Sequence, residues 1–390
     1  MLEAENKAFF RGIFLHLPKL FYMSRKDLYI QLEYDGFLTD ISAVEVLYPD
    51  YKEIEALGAD KVYFSGDFPT ILFVEVDSFN DIALKRIADI HHKAWNYRRV
   101  LLLFALSDTE IRIYNCHEKP NRIDDQKDIQ SQLEPIHLLT HNAITHNLDI
   151  LQELFSRIGV DCGLLWTTDS AVRDKINFQR RLDNFLVATL KQTVYELGQK
   201  GITDIDVIHS LLMRSLFILF LEDKGAAKET SLYSTIKEGA KSYFDILDDK
   251  SATYKLFTEV QEHFNGNVLP VLNGEYDLVT EDHLGLIKRC FLDGNLDRTQ
   301  TALFDWRLFN FEIIQIELLS EIYENFLGVL QEERGQYYTP FTLVELMLND
   351  KLSIKSNNFT TKALDPACGS GIFLVESFKR LGRVNINYRQ

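Results

Sequence analysis

Around residue 365 this chain admits few local geometries. A short apolar run, Ala363-Leu364, ends in Asp365; Pro366, Ala367 and Cys368 follow; then come Gly369 and Gly371, one residue apart. A helical apolar pattern starts at once with Ile372, Phe373, Leu374, Val375 and Phe378. Strand, glycine turn and helix is how an open α/β sheet offers backbone N–H groups to a nucleotide-like ligand. Glycine lets the main chain come close because no Cβ intervenes. The spacing is neither a G-x-G-x-x-G fingerprint nor a P-loop, which needs Gly-Lys-Ser/Thr. On its own, Asp365-x-x-x-Gly369-x-Gly371 also fits a tight βα turn with no ligand.

The full string Asp365-Pro366-Ala367-Cys368-Gly369-Ser370-Gly371 lies about 25 residues after Gly335-Gln336-Tyr337-Tyr338-Thr339-Pro340. In order and separation the pair resembles motifs X and I of the N6-adenine DNA methyltransferases of restriction–modification systems, of the type IIG-like class that fuses cutting and methylation. Leu216 to Asp223, His263 to Gly266 and Ile316 to Leu327 resemble the helical connector of the same class, so the likeness covers residues from about 200 to 380.

That resemblance implies S-adenosylmethionine as cofactor. Asp365, Pro366, Ala367, Gly369, Ser370 and Gly371 would surround its methionine part. Tyr338, Thr339 and Pro340 would form the loop closing over its carboxylate end. Unpaired N–H groups at the helix start favour an anion, and the Asp365 charge suits a sulfonium and an amino group. Read as residues alone, Asp365 is equally a helix N-cap and Pro340 a first-turn residue. Cys368 reads as a small turn residue, since no histidine arrangement surrounds it.

The family's acidic residue for the ribose hydroxyls and its Asn/Asp-Pro-Pro-Tyr/Phe motif for the flipped adenine are expected beyond the first helix after the turn. No Asn-Pro-Pro or Asp-Pro-Pro occurs in the sequence. The expectation is an amino-terminal part of a larger enzyme, without methyl-transfer residues of its own and inactive alone.

The rest of the chain reads as α/β plus α. Three regions are expected: an α/β domain over 1–120, a helical connector over 121–332, and the start of a Rossmann-like methyltransferase domain over 333–390. An amphipathic helix is expected from Phe9 to Leu20, and strands at Lys61 to Phe64, Ile71 to Val76, Val100 to Leu106 and Ile111 to Tyr114. A helix from Asp81 to Trp95 makes a crossover between the second and third, and Ser107-Asp108-Thr109 a hairpin turn. After a polar stretch from Glu118 to Gln132, helices are expected at Ser170 to Lys200, Asp204 to Lys224, Ser251 to Phe264, Glu281 to Leu292 and Phe309 to Val329. The Asp204 helix is apolar nearly all round and belongs at the centre.

In fused restriction enzymes the amino-terminal position holds a PD-(D/E)xK nuclease, whose acidic pair binds Mg²⁺ and whose lysine steadies the attacking water. Asp67 and Glu75 are the nearest match, with Asp77 where the lysine belongs; a lysine from elsewhere, such as Lys93, would have to serve. Otherwise Glu75 and Asp77 are alternate strand residues facing solvent. The expectation is a nuclease-like fold without cutting activity.

A net charge of −16 argues against DNA binding by the chain as a whole, because phosphate contacts need clustered Lys and Arg. Two local exceptions stand out. Residues 171–200 hold Arg173, Lys175, Arg180, Arg181, Lys191 and Lys200 against three acidic residues. His91 to Arg99 mixes bases with Trp95 and Tyr97, and reads either as a phosphate- and base-contacting segment or as a solvated helix end. Double-stranded DNA is the expected partner, mainly through regions outside this sequence. Four scattered cysteines, with no C-x-x-C pair, fit neither zinc nor a disulfide framework and suit the cytoplasm. No apolar run is long enough to cross a membrane, and no feature specifies an oligomer. Two other readings remain: a metal-dependent endonuclease with a vestigial methyltransferase part, and a non-catalytic scaffold of DNA defence.

Overall fold

The computed structural model describes residues 24–44, 50–66, 68–124, 127–140, 151–167, 172–176, 180–225, 232–263, 270–294, 307–319, 321–322, 339, 341–352, 362–366, 368 and 371–387. The helix expected from Phe9 to Leu20 lies outside them.

Helix α1 (Arg25–Gln31) opens on a capping box: Asp27 N–H donates to Ser24 Oγ, and Ser24 N–H donates 2.9 Å to the Asp27 carboxylate. Strands β1 (Leu38–Asp40), β2 (Lys61–Ser65) and β3 (Phe68–Glu75) form an antiparallel meander, with α2 (Tyr51–Ala56) between the first two. Helix α3 (Asp81–Tyr97) then crosses over, so β4 (Leu102–Leu106) runs parallel to β3, with Phe73 opposite Phe104. Strands β5 (Glu110–Asn115) and β6 (His137–Thr140) follow antiparallel, and the spatial order equals the chain order. The sheet thus runs past residue 120, because β6 returns after the polar stretch to pair with β5.

Both faces of the sheet are covered, as the alternation of its strands requires. Ile71, Phe73 and Phe104 pack with Tyr34, Phe155 and Leu165 on one side. Leu72, Val74, Leu103 and Ala105 pack with Leu84, Ile87 and Ile90 of α3 on the other. Short helices α4 (Arg157–Asp161) and α5 (Leu164–Thr167) complete the first layer.

The helical region is built on α6 (Leu182–Gln199) and α7 (Ile205–Asp223), followed by α8 (Leu232–Ile236), α9 (Tyr243–Ile246), α10 (Lys250–His263), α11 (Glu275–Leu278) and α12 (Glu281–Asp293). As its sequence demands, α7 is buried on every side, from Val207 to Phe220. Two expected helices are shorter than their patterns. That from Ser170 begins at Leu182, because Arg173–Lys175 is a separate 3₁₀ turn ended by extended Ile176. That from Phe309 is irregular until 316: side chains of α3 capture its backbone instead. Asn96 Nδ2 donates 3.1 Å to Leu308 O, His92 Nε2 lies 2.8 Å from the same oxygen, and Asn310 N–H donates 2.8 Å to Asn96 Oδ1. Tertiary hydrogen bonds here replace the helical ladder.

These contacts bind the helical region to the sheet domain. Trp95 of α3 is buried between Phe185 and Phe309. Arg98 ends α3 in the left-handed region at φ 71°, a position that favours glycine. Its guanidinium explains the exception, reaching Glu321 at 2.5 Å and Asp183 at 3.8 Å. Helices α13 (Phe341–Lys351) and α14 (Ile372–Asn387) lie side by side at the carboxy-terminal end.

Candidate functional site

Before α14 the described residues show a hydrogen-bonded turn and a left-handed Gly371. Gly371 N–H donates 2.7 Å to Cys368 O, and Gly371 O accepts from Val375 N–H at 2.9 Å, which starts the helix. Gly371 sits at φ 83°, and no atom of the described residues beyond its chain neighbours lies within 4 Å of where its Cβ would be. The position therefore asks for glycine by backbone conformation. The N–H groups of Ile372, Phe373 and Leu374 lack i−4 partners inside the helix, as at any helix start.

Residues 362–365 reach the turn without regular secondary structure; among the described residues no strand pairs with them, and Leu364 is 87% exposed. Asp365 is half-buried and, with Pro366, lines a cavity of about 460 Å³ walled by Leu348, Leu352, Phe373 and Ser377. Cys368 is exposed. Thr339 is half-buried just before α13. Tyr338, Pro340, Ala367, Gly369 and Ser370 lie outside the described residues.

The amino-terminal acidic candidates resolve differently. Asp67 lies outside the described residues. Asp77 falls after the end of β3 with its side chain fully exposed. Glu75 ends β3 and accepts 2.8 Å from Tyr29 Oη and from Lys61 Nζ, with Arg25 at 3.8 Å. Burial pushes its carboxyl upward, but Lys61, Tyr29 and Arg25 together outweigh this and hold it below the usual range. The lysine suggested from elsewhere, Lys93, pairs with Asp89 on its own helix; the cation at Glu75 comes from the neighbouring strand. Asp60 also joins this group, unforeseen in the sequence: its Oδ2 accepts 2.7 Å from Glu75 N–H and its Oδ1 2.8 Å from Arg86. The signal was Asp60-Lys61 at the head of β2, legible only once the β2–β3 register was known. Among the described residues no three acidic, histidine or cysteine groups converge to hold a metal.

The basic surfaces are largely consumed. Arg180 pairs with Glu118, Arg181 with Asp183 and Lys200 with Asp282, while Lys175 donates to Ile136 O. In the His91–Arg99 segment Trp95 and Tyr97 are buried, so neither ring is exposed for base stacking, and Arg99 pairs with Asp50. Among the described residues no helix is long and apolar enough to cross a membrane.

Residues 314–389, which contain this turn, match the model of the N-6 DNA methylase family. Over 78 residues the chain is 36% identical to the Type I restriction enzyme MjaIX methylase subunit of Methanocaldococcus jannaschii. That match covers 19% of this chain and 13% of the relative's length. No solved structure matches the chain.

Proposed function

We propose, from the premise that residues 314–389 are an N-6 DNA methylase region, that this chain is part of a restriction–modification enzyme which methylates adenine N6 in double-stranded DNA. S-adenosylmethionine, when bound, supplies an electrophilic methyl group on a sulfonium. The observation that carries the reading is Gly371: left-handed, clear of the other described residues, and directly before α14. The residues present fit the cofactor. The N–H groups of Ile372 and Phe373, in the first turn of α14, suit its carboxylate. Asp365, half-buried on the cavity wall, suits its cationic end, and Thr339 with its neighbours Tyr338 and Pro340 suits the closing loop.

The adenine would be flipped out of the duplex to reach the methyl group. With no Asn-Pro-Pro or Asp-Pro-Pro in the sequence, the chain by itself offers no such motif to polarise the amino group, and we expect it to be inactive alone. Calorimetry with S-adenosylmethionine tests the cofactor site: saturable binding, lost on Asp365→Ala, is expected, and binding unaffected by that change would overturn it. Labelled methyl incorporated into duplex DNA by this chain alone would refute its inactivity.

A second reading, a metal-dependent endonuclease centre, has one observation in its favour: Lys61 stands beside Glu75. The described residues do not fit a metal, however. Glu75 is occupied by Lys61, Tyr29 and Arg25, and Asp60 by Arg86 and a backbone amide. The group reads as an ion-pair network that holds the sheet together. Mg²⁺- or Mn²⁺-dependent nicking abolished by Glu75→Ala would restore the nuclease.

A further inference from the structure

Residues 307–319 and 321–322 run between the two cores, and the region matched to the methylase family begins within them, at residue 314. Phe309, Phe311, Ile314 and Leu318 pack in the helical core, while Ile313 packs beside Leu84 and Ile87 of α3 in the core of the sheet domain. The polar side chains of this strap reach three different elements. Gln315 Nε2 donates to Asp50 at the start of α2. Asp50 is buried and also accepts from Tyr97 Oη at 3.1 Å and from Arg99 Nη1 at 2.7 Å. Glu321 accepts from Arg98 Nη1 at 2.5 Å and Nη2 at 3.3 Å, at the end of α3. Between these two anchors on the sheet domain, Glu317 meets Lys379 of α14.

The Glu317 side chain is 0% exposed, and a carboxylate taken wholly from water needs a cation beside it. Lys379 supplies that cation; apart from it, no hydrogen-bond donor reaches either Glu317 oxygen among the described residues. The same ammonium lies 3.1 Å from Oε1 of Glu376, which is buried one turn back on α14. One lysine thus serves two buried carboxylates, one on the strap and one on its own helix. The next residue, Arg380, donates 2.9 Å to Asn349 Oδ1 and 3.4 Å to Leu352 O at the end of α13. Adjacent cations therefore hold α14 on two sides, against the strap and against α13.

We propose that Lys379 is a positioning residue for the cofactor turn: through Glu317 it fixes α14 to the strap, which Gln315 and Glu321 anchor on Asp50 and Arg98 of the sheet domain. The inference rests on the cofactor reading of the Asp365–Gly371 turn. Lys379 follows Gly371 by about 12 Å of continuous helix, so α14 moves there as one piece and carries the turn with it. Every link from Asp50 to α14 is a hydrogen bond, an ion pair or the two residues of chain between Gln315 and Glu317. The amino-terminal domain thereby sets where the first N–H groups of α14 stand.

Hydrogen exchange and calorimetry on the full chain test this. Lys379→Met should lower the protection of peptides covering Ile372 to Arg380 about tenfold, with α7 unchanged, and should weaken S-adenosylmethionine binding by a similar factor. Lys379→Arg keeps the charge and should restore both. Gln315→Ala frees the strap without touching α14, and should weaken binding about threefold. Protection lost in Lys379→Met with affinity intact would mean a tie that only stabilises, and would overturn the positioning role. Losses that persist in Lys379→Arg would overturn the ion pair as its cause. If Lys379→Met does not fold, Gln315→Ala decides alone, and unchanged affinity there overturns the proposal. No binding by the native chain, with the exchange losses intact, would overturn the cofactor reading instead and leave the tie standing.

Discussion

The Lys61 ammonium contacts the Glu75 carboxylate across neighbouring strands β2 and β3, supplying from one strand the cation that the other lacks. Both side chains are less than a third exposed, so solvent screens the pair only partly.

Lys61→Met should destabilise the domain by about 1–2 kcal/mol at pH 7, less than for a fully buried pair. Glu75 is held below its ordinary range in the fold. Its contribution is therefore present above the unfolded pKa and is lost as pH falls through the folded one. Urea melts should show Lys61→Met converging on the native chain in acid, since protonation of Glu75 removes the pair in both. An undiminished gap at pH 3 would show that the cost lies in packing.

Gly371→Ala puts a side chain at φ 83°, with no atom of the described residues beyond its chain neighbours within 4 Å of its Cβ. The cost is then backbone strain alone, about 1–2 kcal/mol, read as a small drop in melting temperature. Cofactor binding should fall more than stability, because the new methyl occupies the side a ligand approaches. Unchanged affinity in calorimetry would mean that the main chain at 371 does not meet the cofactor.

The parts legible in the sequence were those governed by local patterns. The crossover helix between parallel β3 and β4, the hairpin at Ser107 to Thr109, and the all-round apolar α7 follow from periodicity and turn residues. The illegible parts depend on distant partners. Strands β1 and β6, three and four residues long, are too short for a pattern and exist because an edge was there to pair with. Asn96, a polar residue on a helix, holds the backbone of 308–310, more than two hundred residues away. At the candidate site the glycine turn was readable, while Asp60, Lys61 and the charges around Glu376 were assembled only by the fold.

His117 and Glu376 should set opposing slopes of stability over the same pH range. Burial, aided by the nearby Arg181 charge, pushes its imidazole down to about 4 from 6.5. In that interval the unfolded chain binds a proton and the folded chain does not, so stability falls as pH drops, by up to about 3 kcal/mol. Glu376 acts with opposite sign, since its raised pKa favours the fold at low pH and this is lost as pH rises to about 7. Burial also lowers His91, His92, His137 and His209, which act in the same direction as His117. Against that common background, between about pH 5 and 6.5 His117→Gln should make stability rise less with pH than in the native chain, and Glu376→Gln should make it rise more. Parallel profiles for the two variants would show that neither group titrates as placed here.

The helical region depends on one ion pair removed from water. Arg214 on α7 donates 2.6 Å to Glu275 on α11, and their side chains are 3% and 0% exposed. Glu275 also accepts from Tyr254 Oη at 3.0 Å and from Leu272 N–H at 2.9 Å, while Arg214 stacks on Phe257. Two guanidinium nitrogens, Nε and Nη1, have no hydrogen-bond partner among the described residues, so Arg214 recovers only part of its lost hydration. Removing Glu275 alone leaves that cation buried without its carboxylate, and Glu275→Leu should cost about 3–5 kcal/mol. Arg214→Met alone should cost a similar amount, because the carboxylate is then stranded with two neutral donors. Replacing both with apolar residues removes both desolvation penalties, and the double variant should be more stable than either single one. Denaturant melts of the four proteins measure the coupling; additive losses would mean that each side chain is held by its other neighbours and not by the pair.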